Sequence, residues 1–153
     1  MRAFLAAVPI ALVLASPAVA QSGPRLGAYY GADLGADPHP GNHHVGLLYA
    51  APAFGVFEVY PALEVFFDRL ADGSVWQASL NLRARPKRSR GEPSAFYAGG
   101  GLNVRSDIFE PGLLMGIEAP WDRARPFFEF RFFGTDIDRA SYNVIAGATL
   151  ALH

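Results

Sequence analysis

Hydrophobic and polar residues alternate along most of the chain, most clearly over positions 126–134, which read Pro-Phe-Phe-Glu-Phe-Arg-Phe-Phe-Gly. Phe128, Phe130 and Phe132 fall on one side, whereas Glu129 and Arg131 fall on the other. Because side chains alternate between the two faces of a strand, this pattern predicts a strand with one aromatic face and one charged face. The aromatic face must be covered either by a protein core or by lipid.

Eight runs of this kind follow one another, and none has helical periodicity. They are Arg25–Asp33, His43–Ala51, Phe57–Phe67, Val75–Arg85, Ala95–Arg105, Phe109–Ala119, Pro126–Gly134 and Tyr142–Leu152. Short connections between strands favour an up-and-down meander, and an even strand number is what bacterial single-chain membrane barrels have. The sequence therefore predicts an all-β fold, an eight-stranded antiparallel up-and-down β-barrel of transmembrane type, in a single domain over residues 21–153.

The composition of the charged face indicates that it points inward. Most glycines of the runs lie on this face, and the interior of an eight-stranded barrel is only just wide enough for side chains, so glycines there leave room for larger neighbours. Arginine is the only cation on this face, and it forms bidentate pairs with carboxylates. We therefore expect a lumen filled by an ion-pair network. Its predicted members are Glu58, Glu64, Arg83, Arg85, Arg105, Glu118, Glu129 and Arg131.

The apolar face would then point to lipid, with aromatic residues near the strand ends forming interfacial girdles. The alternative is a secreted soluble barrel that binds a small apolar ligand in its interior, which requires the apolar faces to point inward. The two interpretations differ in which face is buried.

The N-terminus predicts export. Arg2 is followed by the apolar run Ala3–Ala15 and by an Ala-x-Ala cleavage site at Ala18–Ala20. This is the pattern of a signal peptide over residues 1–20. The net charge of −1 and the absence of cysteine argue against nucleic-acid binding, disulfides and thiol chemistry.

Three segments carry a resemblance to the small outer-membrane β-barrel proteins of the OmpA/OmpX-like superfamily. They are Phe96–Leu102, Pro126–Arg131 and the last run, where Gly147–Leu152 is similar to the signal read by the barrel assembly machinery. Ile145 and His153 depart from that signal, which prefers a polar residue and an aromatic end at these places. The resemblance implies a location in the bacterial outer membrane, with no specific activity.

One loop offers possible metal ligands: Asp37, His39, His43 and His44. Imidazole and carboxylate groups bind transition metals, but these residues match no defined ligand spacing and two prolines stiffen the segment. We expect a solvated loop, no bound metal and no cofactor.

The sequence predicts no enzyme. Lipid A deacylases resemble this chain in size and topology but use a His-x-Ser motif on a late strand, and only His153 occurs there. A lipid A-modifying acyl enzyme is therefore the less favoured alternative to a structural or interaction role. The expected partners are outer-membrane lipid, lipopolysaccharide at an acidic rim and the barrel assembly machinery at the last strand, and we expect a monomer.

Overall fold

A computed structural model of the chain describes residues 23–34, 43–67, 74–86, 95–105, 108–119, 121, 123–134 and 141–152. Several sequence predictions lie outside these residues. They are the signal peptide, Asp37, His39 and His153.

The described residues form eight β-strands in the order of the chain. They are β1 (Arg25–Asp33), β2 (His43–Phe54), β3 (Phe57–Phe67), β4 (Ser74–Ala84), β5 (Phe96–Arg105), β6 (Ile108–Glu118), β7 (Ala124–Phe133) and β8 (Ser141–Ala151). Each strand pairs antiparallel with its neighbours along the chain, and β1 pairs with β8, which closes the barrel. The predicted eight-stranded antiparallel barrel is confirmed. Within the described ranges, no helix is long and apolar enough to cross a membrane.

The strand bounds agree with the alternating runs to within two residues except at the β2–β3 hairpin. The alternating runs leave residues 52–56 as a connection, but β2 continues to Phe54 and the chain reverses at Gly55. The register shifts between Pro52, which pairs with Glu58, and Phe54, which pairs with Phe57, so the proline lies beside an irregularity of the ladder, where its missing N–H is tolerated. Gly55 has a φ of 57°, a left-handed conformation that favours glycine.

The charged face points inward and the apolar face outward. On β7, Phe127, Glu129 and Arg131 are buried, while Phe128 is 49% exposed. The same alternation holds along the other strands, where outward leucines such as Leu113 reach 65% exposure. The interior of this barrel is therefore polar and its wall apolar, the reverse of a water-soluble protein.

Two inward-facing glycines leave space for tyrosine rings. A Cβ at Gly46 would collide with the ring of Tyr29, and one at Gly116 would lie 2.5 Å from the Tyr97 hydroxyl. The register places these glycines near their tyrosines, since Tyr29 pairs with Gly46 and Tyr97 with Gly116. Glycine on the charged face thus accommodates large side chains within the narrow lumen.

Candidate functional site

The polar lumen is the candidate functional site, because it concentrates charged side chains that would be costly to bury without partners. Among the described residues, those that are fully buried and largest in volume include Arg25, Arg83, Arg131, Glu64 and Glu129. They come from four different strands, β1, β3, β4 and β7. The network is therefore assembled by closure of the barrel.

One group lies at the end of the barrel where β1 begins and β8 ends; we call it the terminal cluster. Its members are Arg25, Glu58, Arg83, Arg85, Glu118 and Arg125. Glu58 accepts from Arg25 Nη2 at 3.0 Å and from Arg83 Nε at 2.8 Å. Glu118 accepts from Arg85 Nη2 at 2.9 Å and from Arg125 Nη1 at 3.3 Å.

Two longer contacts join the halves of the terminal cluster. Arg83 Nη2 lies 3.6 Å from Glu118 Oε2, and Arg85 Nη2 lies 3.6 Å from Glu58 Oε2. Each carboxylate therefore faces three guanidinium groups. Sharing of this kind offsets the cost of burying two carboxylates, of which Glu118 is 1% and Glu58 11% exposed in its side chain.

A second group lies deeper in the barrel around one arginine; we call it the central cluster. Its members are Tyr29, Tyr60, Glu64, Gln77, Glu129 and Arg131. Arg131 pairs with Glu64 through Nη1, with Glu129 through Nε at 2.5 Å, and donates to the Tyr60 hydroxyl through Nη2 at 3.0 Å. Glu64 also accepts from Tyr29 and from Gln77 Nε2, the latter at 3.0 Å.

Aromatic rings connect the two clusters in an alternating stack. The guanidinium carbon of Arg83 lies 4.6 Å from the ring centres of both Tyr97 and Tyr60. Arg131 follows, at 5.6 Å from Tyr60 and 5.0 Å from Tyr29. Cation–π contacts of desolvated guanidinium groups contribute about 2 kcal/mol each. The order Tyr97, Arg83, Tyr60, Arg131, Tyr29 thus spans the lumen with contacts that stabilise both buried cations.

The structure brings together seven of the eight residues predicted for the lumen network. Glu58, Arg83, Arg85 and Glu118 lie in the terminal cluster, and Glu64, Glu129 and Arg131 lie in the central cluster. Arg105 lies apart from both clusters. Its guanidinium carbon stacks 4.8 Å above the ring centre of Phe66.

Sequence reasoning missed three tyrosines, two arginines and Gln77 of this site. Tyr29, Tyr60 and Tyr97 stand on the charged face of their strands, where the same alternation that selected the carboxylates selects them too. Arg25 is the first residue of β1, and Arg125 is the second residue of β7. The face of each residue was therefore readable from the sequence, but the contacts across the lumen were not.

The two described metal candidates lie on opposite faces of β2. His44 is buried in the lumen and stacks on Phe66, with ring centres 4.5 Å apart. His43 lies on the outer face, where its Nδ1 is 2.6 Å from the hydroxyl of Tyr30. Adjacent strand residues cannot turn their side chains toward one ion. Among the residues that the structure describes, no group of three metal-ligating side chains occurs.

This geometry defines a class of structure: a closed eight-stranded barrel with an apolar wall and a charge-paired interior. Among solved structures, the chain is similar to the crystal structure of Neisserial surface protein A (NspA), with a TM-score of 0.61 and 13% sequence identity. The similarity covers 86% of this chain and 98% of the other. No protein-family model matches the chain, and no curated protein matches its sequence.

Proposed function

We propose that this protein spans the bacterial outer membrane as a small β-barrel with a closed lumen and has a structural or interaction role without catalysis. The observation that carries the proposal is the character of the wall: among the outward-facing strand side chains that the structure describes, none is charged. The likeness in fold to a surface protein supports the same location.

Lipid is the solvent that suits such a wall. Large apolar side chains on the outer face are about half exposed, among them Leu47 at 59%, Leu113 at 65% and Met115 at 54%. A continuous apolar surface on all sides exceeds what soluble monomers expose. Closure of the sheet satisfies the backbone hydrogen bonds that lipid leaves unpaired. The secreted soluble alternative required the apolar faces inside, which is not where they lie.

The clusters support the proposal of a closed lumen and of a role without catalysis. Salt bridges and ring stacks cross the interior between strands that are not neighbours, such as β3 and β7, and we expect them to block a continuous water path. Each of Glu58, Glu64, Glu118 and Glu129 is paired with at least one guanidinium group, which argues against a role as a general base.

The proposed partners follow from the surface. Outer-membrane lipid would cover the wall, and lipopolysaccharide is the expected partner of the acidic rim that the sequence predicts. The barrel assembly machinery reads the last strand, β8, which forms the seam with β1. Export by cleavage after Ala20 would leave a mature chain that begins at Gln21.

Membrane insertion is tested by folding the protein into phospholipid vesicles and comparing unheated with boiled samples on a detergent gel. The folded barrel should migrate differently before boiling. Leu113→Arg, which places a charge on the wall, should lower the free energy of unfolding by about 2–4 kcal/mol, whereas Leu113→Phe should have little effect. A monodisperse protein in buffer without detergent would contradict the proposal.

Closure of the lumen is tested separately. Protein reconstituted into a planar bilayer should give a flat current trace under applied voltage, because the paired side chains obstruct the interior. A sustained current that scales with voltage would show an open path and overturn this part of the proposal, without affecting membrane insertion.

A further inference from the structure

A notch in the outer wall distinguishes one side of the barrel from the rest. It has a volume of about 560 Å³ and is formed by strands β8, β1, β2, β3 and β4. Its lining includes Ala28 and Ala146, flanked by Tyr30, Leu47, Leu63 and Trp76. The strand register explains the concavity, since Ala28 lies opposite Leu47 on one side and Ala148 on the other. Small residues on β8 and β1 thus adjoin bulky residues on β2.

The lumen side of the wall holds this shape in place. Behind the notch, the buried ring of Tyr29 fills the space beside Gly46 and Gly147. Tyr29 is itself held by its hydrogen bond to Glu64 in the central cluster. The floor of the notch therefore rests on the central cluster, and its lining residues belong to strands.

A polar pair lies at the edge of the notch nearer the loop that follows β1. The ring of Tyr30 stacks on that of His43 with centres 5.5 Å apart, and the Tyr30 hydroxyl lies 2.6 Å from His43 Nδ1. If Tyr30 donates, the neutral imidazole keeps its proton on Nε2; if His43 donates, the hydroxyl keeps its proton. In either tautomer, one donor of the pair remains to be satisfied, which is costly on a surface covered by lipid.

We propose that the notch holds one acyl chain of a phospholipid, whose ester carbonyl or phosphate oxygen accepts a hydrogen bond from the Tyr30–His43 pair. The inference rests on the membrane insertion proposed above and adds a defined site to it. Within lipid there is no hydrophobic driving force for association, so preference for a site comes from close packing and from polar contacts. A concave floor of alanine offers more packing contacts than a flat wall.

An acyl chain fits this notch better than a second copy of the protein. The barrel wall is convex, and Leu47 and Trp76 stand at 59% and 58% exposure. A second convex wall would touch these residues and leave the alanine floor uncovered. A slender chain reaches the floor and places its polar end against His43.

Native mass spectrometry of the detergent-solubilised protein tests the occupant by its mass. After incubation with phosphatidylethanolamine, the protein should carry one bound phospholipid. Ala28→Phe fills the notch and should remove that adduct. Ala98→Phe makes the same change on the outer face of β5, away from the notch, and should keep it. Doubling of the protein mass, or an adduct only with lipopolysaccharide, would overturn the proposal.

Tryptophan fluorescence gives a second measurement, because Trp76 lines the notch and Trp121 does not. In a Trp121→Phe background, micelles doped with dibrominated phosphatidylethanolamine should quench Trp76 at a low mole fraction. Adding Ala28→Phe should raise the midpoint about tenfold, which corresponds to about 1.4 kcal/mol. Adding Ala98→Phe should leave the midpoint unchanged, and His43→Leu should raise it by less than Ala28→Phe.

Ala28→Phe and Ala98→Phe must first show the heat-dependent gel migration of the folded barrel. If Ala28→Phe fails that test, Ala28→Leu replaces it as a smaller filling of the same floor. Equal midpoints for folded Ala28 and Ala98 variants would refute the acyl site while leaving membrane insertion intact. If the wild type needs no detergent, membrane insertion itself is wrong.

Discussion

The terminal and central clusters of the lumen pair their buried carboxylates with arginine in different ways. In the terminal cluster, two carboxylates are shared among four arginines, so each carboxylate has several cationic partners. In the central cluster, one arginine serves two carboxylates and the tyrosine hydroxyls. The terminal cluster is redundant, whereas the central cluster depends on Arg131.

This difference shows how a narrow barrel can bury charge. Redundancy suits the end of the barrel, where Arg125 retains 20% exposure of its side chain. Where burial is complete, aromatic faces and hydroxyls replace the missing cations. Loss of one arginine should therefore cost most at the centre and least at the terminal end.

Arg131→Ala tests the centre and should have the largest effect. It leaves Glu64 and Glu129 without the guanidinium that pairs with both of them. Breaking a buried pair in this way should lower the free energy of unfolding by about 3–5 kcal/mol. Urea titration of the protein folded in vesicles, followed by tryptophan fluorescence, measures the loss. A loss below about 1 kcal/mol would contradict a dependence on Arg131.

Arg85→Ala is the matched change in the terminal cluster. Glu118 keeps Arg83 and Arg125 as neighbours, and Glu58 keeps Arg25 and Arg83. The loss should be about 2 kcal/mol, the value of one hydrogen bond to a charged group. The same urea titration gives the ratio to Arg131→Ala. Equal losses would remove the distinction between the clusters.

Tyr60→Phe isolates the hydroxyl from the ring. It removes the acceptor of Arg131 Nη2 but keeps the ring between Arg83 and Arg131. We expect a loss of about 1 kcal/mol in unfolding free energy. Tyr49→Phe, on the outer face of β2, is the control and should change little. If the two variants behave alike, the Tyr60 hydroxyl contributes nothing.

Arg125→Ala should have the smallest effect. Its contact with Glu118 is 3.3 Å long and partly exposed, and exposed ion pairs contribute about 0–1 kcal/mol. Raising the salt concentration should shrink the difference from wild type further. A loss as large as that of Arg85→Ala would indicate that Arg125 is an equal member of the terminal cluster.

The alternation of residues along the chain was sufficient to predict all eight strands and the face on which each side chain lies. The same alternation also argues against a shared metal site for His43 and His44, because adjacent strand residues lie on opposite faces. The β2–β3 hairpin was predicted less well, because the register shift between Pro52 and Phe54 depends on pairing with β3. Local pattern does not encode where two strands shift their register.

The contacts of the lumen show most clearly which features the sequence predicts and which ones depend on the tertiary structure. Glu58 and Arg83 face each other across neighbouring strands, so their pairing follows from one hairpin register. Arg131 and Glu64 come from β7 and β3, which are not neighbours, and meet only because the sheet closes. The period of the sequence, a local property of the chain, determined which residues point inward. The curvature and closure of the barrel, set by all eight registers together, decided which of those residues touch.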